Sequence, residues 1–197
     1  MGLTETLKLA AATLRDAGVP FALAGSAAAW TRGAPEPCND VDFVIAAADA
    51  GRAERALAAA GMRTERPPEG WLLKAWDGDI LVDVIWDLEG CPDVDEVLGR
   101  AQELSVEAVP MRVLAIDDVI ASKLCAFDEH ALDFGPPLAI ARALREQIDW
   151  TSVRERTAHS PHARGFLRLL EELGVIAYAA PADRGEHHAR VRVVEGD

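Results

Sequence analysis

At 197 residues, half of them hydrophobic, the chain is long enough to bury one substantial core and to carry a small second subdomain. A formal net charge of −13 disfavours a non-specific grip on nucleic acid, which depends on neutralising phosphates with Lys and Arg, so no DNA partner is expected. No apolar run reaches the ~20 residues of a membrane span, and the charged stretch Met1 to Ala17 is no signal peptide, so the expectation is a cytoplasmic protein without membrane contact.

Leu3, Leu7, Leu9 or Ala10, and Leu14 recur at helical spacing before Gly18 and predict a helix over 3–17. Phe21-Ala22-Leu23-Ala24 reads as a short strand running into Gly25-Ser26, and Ala27 to Trp30 as the start of a helix. After the loop Gly33 to Pro37, Asp40 to Ala46 reads as a buried strand, followed by an Ala-rich helix over 49–60 that stops at Gly61. Beyond the Pro67 to Gly70 loop, residues 71–76 and 79–86 pattern as a hairpin around Asp77-Gly78, a dipeptide that favours a two-residue turn. Short strands are expected at 104–109 and 111–114. From Asp117 the pattern turns helical. Asp117 or Asp118 caps 119–131, Pro136-Pro137 opens 138–147, Thr151 caps 152–158, and 162–173 ends at Gly174. A last strand is expected at 190–194. The predicted class is therefore α/β (α+β), with a mixed sheet flanked by helices in residues 1–115 and a C-terminal helical subdomain and tail in 116–197.

Asp40-Val41-Asp42 carries the chemistry. Residues two apart in a strand point to one face, roughly 6.5–7 Å from each other, and Val41, Phe43, Val44 and Ile45 mark this strand as buried. Two carboxylates there repel each other and lose hydration unless a cation sits between them. Asp83, within the apolar run Ile80 to Trp86, poses the same problem on a second strand; Asp79 is its rival but abuts the turn. Three acids on neighbouring strands are what a two-metal phosphoryl-transfer site requires. Upstream, Gly25 lets backbone approach a phosphate and Ser26 offers a hydroxyl, although a plain turn with a Ser cap has the same letters. Residues 36–96 hold 15 acids against 5 bases, so the acid excess surrounds this site. Such a surface suits a Mg-nucleotide or a basic partner; it equally serves solubility.

Leu23-Ala24-Gly25-Ser26, then Asn39-Asp40-Val41-Asp42-Phe43-Val44-Ile45, then Leu81-Val82-Asp83-Val84, resembles the signature of the DNA polymerase β-like nucleotidyltransferase superfamily. Among its small bacterial members, the chain is similar to the minimal nucleotidyltransferases and the AbiE-type and MenT-type toxins; Ile116 to Leu124 is similar to the first C-terminal helix of the AbiE-type branch. Two departures stand out. Arg32-Gly33 comes two residues later than in the tightest minimal motif, and Asn39 stands where Ser or Thr often precedes the acid pair.

The resemblance implies an enzyme that moves a nucleoside monophosphate from an NTP to an acceptor hydroxyl and releases pyrophosphate. Asp40, Asp42 and Asp83 would be catalytic and hold two Mg2+ ions, for which Mn2+ can substitute, and Asp83 would also act as base. Gly25, Ser26 and Lys123 would bind the nucleotide. The acceptor implied is RNA, such as a tRNA 3′ end, in a toxin-like role with an antitoxin partner. The alternatives are a small molecule of the antibiotic type, or a catalytically weak regulatory module.

Other residues carry both a functional and a bland reading. Lys123 lies on the edge of the apolar stripe of its helix, where its stem can also simply snorkel. His130 follows on the same face. Asp133 and Asp149 compete as a second acid of the AbiE-type pattern. Arg142, Arg145, Arg154 and Arg156 either line an acceptor cleft or form plain helix surface. Trp71, Trp76 and Trp86 serve hairpin packing or base stacking. Glu186-His187-His188 reads as a tail more than a metal site, and Cys38, Cys91 and Cys125 lack zinc-ligand spacing and read as reduced thiols.

Overall fold

The computed structural model describes residues 2–37, 40–91 and 93–178. A seven-stranded mixed sheet runs through the chain in the order β3-β4-β5-β2-β1-β7-β6. Its strands are β1 (Phe21–Leu23), β2 (Asp40–Ile45), β3 (Arg63–Glu65), β4 (Leu72–Asp77), β5 (Ile80–Ile85), β6 (Gln102–Val106) and β7 (Val109–Val113). The helices are α1 (Leu3–Asp16), α2 (Gly25–Trp30), α3 (Ala50–Ala59), α4 (Val94–Arg100), α5 (Ile116–Cys125), α6 (Gly135–Leu144), α7 (Trp150–Arg156) and α8 (Pro161–Glu172). This is a mixed sheet flanked by helices, as the sequence predicts.

The centre of the sheet is β2, antiparallel to β1 and parallel to β5. Val41, Phe43, Val82, Val84, Leu73 and Ala75 are fully buried on one face, where α1 and α3 pack. The alternation of a strand then sends Asp40, Asp42 and Asp83 to the other face. The parallel register sets Asp42 directly beside Asp83. On the C-terminal side, α5 packs against α2, α6, α7 and α8; Phe134 meets Phe127 and Phe166 edge to face at 5.1 and 5.2 Å, and Phe127 and Phe166 are tilted at 6.2 Å.

Several elements differ from expectation. The hairpin turn is Gly78-Asp79, one residue later than predicted, because Gly78 takes the positive φ (63°) at the first turn position while Asp77 pairs with Ile80. Glu107 and Ala108 form the β6–β7 turn, both at positive φ, where a continuous strand over 104–109 was expected. Neither β3 nor α4 was expected. The predicted helix 119–131 begins earlier and ends sooner, at 116 and 125. It stops because Asp128 Oδ1 accepts the backbone N–H groups of His130 and Ala131, turning the chain out of the helix. Neither Asp117 nor Asp118 caps this helix; Ala115 holds that position. The cap of α7 is Asp149, which accepts from Thr151 and Ser152 N–H, and not Thr151 itself. The strand expected at 190–194 lies outside the described residues.

Candidate metal and nucleotide site

Carboxylate oxygens of Asp40, Asp42 and Asp83 all lie within 4.8 Å of one another. The β2–β5 register alone accounts for this: Asp42 faces Asp83, and Asp40 comes one same-face step earlier on β2. Asp79 stands in the turn and does not join the cluster.

Gly25 closes the site from beside β2. The Ala24 N–H donates to the Asp42 carbonyl at 2.8 Å, carrying the β1–β2 ladder up to the turn, and Gly25 then adopts a φ of 57°. A Cβ at this position would lie 1.6 Å from Asp42 Oδ2, so backbone and carboxylate are in contact only because residue 25 has no side chain. Ser26 follows, sharing with Asp40, Glu36, Pro37 and Ile140 a cavity of about 250 Å³.

The charges are poorly compensated. Burial pushes the Asp42 carboxyl up to about 7; the neighbouring Asp40 and Asp83 charges add to the rise, while Lys123 and Lys74 oppose it. Asp83 is raised too, by burial first, against the charge and hydrogen bond of Lys74. Three oxygen donors gathered at this spacing, and short of positive charge, form the set that hard divalent cations such as Mg2+ or Mn2+ take. The donor set therefore fits the metal that the sequence pattern implies.

Lys74 is the residue that sequence reasoning missed. It stands opposite Asp83 in the β4–β5 ladder, with Nζ 3.3 Å from Asp83 Oδ1. A turn placed at Asp77-Gly78 puts Leu72 in that position; the observed turn moves the register by two and brings Lys74 there. The legible signal was Gly78-Asp79, also a favoured hairpin pair, with Lys74 the one charged residue in 71–76.

Lys123 projects from α5 and acts electrostatically on Asp42. It lines a second cavity, of about 570 Å³, with Phe127, His130, Leu132 and Pro136. His130 is not on the Lys123 helix face as expected but in the loop after α5, 85% exposed and paired with Glu129. Asp133 accepts the Gly135 N–H and Asp149 caps α7, so both serve local backbone, and neither joins the acidic cluster.

The arginines are mostly structural. Arg154 pairs with Glu171 at 2.8 Å, Arg156 with Asp118 at 2.8 Å, and Arg145 with its neighbour Glu146 at 3.1 Å. Arg142 is exposed on α6. Arg32, in the turn that departs from the minimal motif, donates to the Leu114 carbonyl at 2.6 Å and to Gln102 Oε1 at 3.0 Å. It ties the end of α2 to the β6–β7 side of the sheet. Trp76 lies under Arg63 at 3.7 Å and Trp86 Nε1 donates to the Gly70 carbonyl, while Trp71 is 39% exposed. Cys91 and Cys125 are free thiols. Asn39, Cys38 and His187-His188 lie outside the described residues. Among those described, no helix is long and apolar enough to cross a membrane.

No family model matches the chain, and no curated protein does. Solved structures do. The chain is similar to ANT(2")-Ia, solved in complex with adenylyl-2"-tobramycin, at 18% identity and a TM-score of 0.51 over 87% of this chain and 93% of that one. A solution structure of the antibiotic-resistance factor ANT(2'')-Ia gives 19% and 0.52, over 88% of this chain and 95% of that one. An antigenic nucleotidyltransferase-like protein from Paracoccidioides brasiliensis gives 12% and 0.51, over 87% and 88%. The chain has the nucleotidyltransferase fold.

Proposed function

We propose that this protein is a metal-dependent nucleotidyltransferase of the DNA polymerase β-like superfamily. The observation that carries the reading is the meeting of Asp40, Asp42 and Asp83 within 4.8 Å on the open face of β2 and β5, against a glycine turn that touches Asp42. In this reading residues 1–115 are the catalytic core and 116–197 a C-terminal helical subdomain and tail. Asp40, Asp42 and Asp83 hold the divalent ions, which when bound polarise the phosphate and neutralise its charge.

The Gly25 backbone and the Ser26 hydroxyl receive the triphosphate, and Lys123 pairs with it from α5. The acceptor hydroxyl oxygen forms its bond to the α-phosphorus as the bond to the bridging oxygen breaks. Pyrophosphate leaves, and Asp83 takes the hydroxyl proton. A cation held there would offset the mutual repulsion of the three carboxylates.

For the acceptor, a small hydroxyl-bearing molecule is favoured over RNA. The structural likeness extends along 93% of ANT(2")-Ia, which was solved in complex with adenylyl-2"-tobramycin. The acid-rich stretch 36–96 is unsuited to a long phosphate backbone. The toxin-like reading, with tRNA acceptor and antitoxin, keeps only the sequence resemblance as its support.

The test is incubation with Mg2+, each labelled NTP in turn, and either an aminoglycoside panel or total RNA. Label transferred to an aminoglycoside supports the reading in full. Transfer to RNA alone keeps the enzyme class and overturns the acceptor. No NTP turnover with any acceptor, and no triad-dependent nucleotide binding, would sink the assignment.

A further inference from the structure

Strands β2, β5, β4 and β3 lie side by side, and their registers place Asp42, Asp83, Lys74 and Glu65 in one row across the sheet. Lys74 therefore stands between two carboxylates. One is Asp83, its present partner at 3.3 Å; the other is Glu65 on edge strand β3. Residues directly opposite in an antiparallel pair have Cβ atoms about 4.5–5.5 Å apart, well inside the reach of a four-carbon stem. That the side chains of β3 and β4 share this face is plain one row along, where Arg63 covers the Trp76 ring at 3.7 Å. The Glu65 side chain is 58% exposed, with Arg63 at 3.5 Å as a loose surface partner. Lys74 is itself 32% exposed and has room to turn.

We propose that Lys74 is a displaceable counter-ion, occupying the cation position beside Asp83 until a divalent ion arrives and then moving to Glu65. The inference rests on the triad being a metal site. An ammonium and a dication cannot share one carboxylate without strong mutual repulsion, and Glu65 offers the ammonium a second acid in the same row. The lysine holds Asp83 in place while the site is empty, and it makes the free triad a weak metal binder. Divalent ion then loads with the nucleotide, whose phosphates add the negative charge that outcompetes Lys74. Lys74 is thus a positioning residue for the metal ligand Asp83.

The experiment is calorimetric titration of Mn2+ into the full chain without nucleotide, so that no turnover is involved. Lys74→Met should tighten Mn2+ binding at least tenfold, whereas Lys74→Arg, which keeps the cation, should stay within about threefold of wild type. Glu65→Gln should weaken binding two- to fivefold in the wild-type background, because the lysine loses its second seat. In the Lys74→Met background the same change should do nothing. Circular dichroism checks folding, and Lys74→Gln repeats the measurement if methionine impairs it. Unchanged or weaker Mn2+ binding in Lys74→Met overturns the proposal, and an equal Glu65→Gln effect in both backgrounds overturns Glu65 as the seat. Asp40→Asn separates the two levels. If it does not reduce wild-type Mn2+ binding, the metal site itself falls; if it does while Lys74→Met changes nothing, only the counter-ion falls.

Discussion

Asp118 on α5 and Asp42 on β2 are both acids set into the body of the protein, and their surroundings answer the charge in opposite ways. Asp118 is fully buried and meets two guanidinium groups, Arg100 at 2.9 and 3.3 Å and Arg156 at 2.8 Å. Arg156 also donates to Cys91 Sγ at 3.1 Å. The cluster ties α4, α5 and α7 together with charges that all come from the chain. Asp42 instead has two further acids beside it, with Lys123 and Lys74 in opposition among the described residues, and its carboxyl is pushed up to about 7. An acid supplied with its own counter-ions is a fastening. An acid left short of them, in a cradle that a Cβ at residue 25 would fill, is what the proposed cation site requires.

The sharpest way to break this contrast is to remove each acid in turn. Asp42→Ala should abolish transfer, a loss of ~10³-fold or more, since it takes away one pole of the metal clamp. The melting temperature without metal should hold or rise, because buried repulsion is relieved. Steady-state rates and thermal melts in chelator check both halves, and wild-type turnover would end the two-metal assignment. Asp118→Ala should do the reverse. It removes the shared carboxylate of two arginines and should lower stability by about 3 kcal/mol, toward the small end because both guanidinium groups keep part of their hydration and Arg100 keeps Glu96 at 3.7 Å. Urea titration measures it, and the loss should be the same with and without Mg2+.

Lys123 gives a smaller effect. If it pairs with nucleotide phosphate, Lys123→Ala should weaken NTP binding or slow transfer at least tenfold, ~1.4 kcal/mol. Lys123→Arg should rescue only in part, since a planar fork does not reproduce a compact ammonium. Wild-type kcat and KM in Lys123→Ala would return it to the solvated surface.

The mildest test is pH. Burial raises Asp42 above its unfolded value, so between about pH 4 and about 7 the folded protein holds a proton that the unfolded chain has released. Its contribution to stability is thus complete below about pH 4 and lost as pH rises through about 7, and the raised Asp83 acts in the same direction. Metal-free melting temperatures should fall by a few degrees between pH 5 and pH 8 relative to Asp42→Asn. Millimolar Mg2+ should offset the fall by binding the ionised triad, and Asp40→Asn with Asp83→Asn should erase that gain. An identical pH profile in wild type and Asp42→Asn would remove the charge deficit on which the contrast depends.

What the sequence made legible was local. Alternation in β2 and β5, the Gly25-Ser26 turn, and the helical stripes of α1, α3 and α8 each write their structure within a few residues. What stayed hidden depends on partners far along the chain. The Asp118–Arg100–Arg156 cluster joins residues up to 56 positions apart with no pattern in between. Lys74 depended on a register that a one-residue change in the turn reassigns. β3 is a short, charged edge strand of the kind that carries little periodic signal. α4 could have been read, since Asp93 caps it through Asp95 and Glu96 N–H and Arg100 stands in its last turn.

Contact between residue 25 and the carboxylate at 42 also fixes the order in which this site can change. As long as an acid occupies 42, any side chain at 25 collides with it, so the two positions form one mutational unit. Replacing Asp42 by glycine would lift the collision and leave only the conformational cost of φ 57°, about 1–2 kcal/mol for alanine at 25. A descendant of this chain would therefore lose Asp42 first and be free to lose Gly25 afterwards. The reverse order is disfavoured: an alanine at 25 collides with the acid still present at 42, and one fixed after that acid is lost opposes its return.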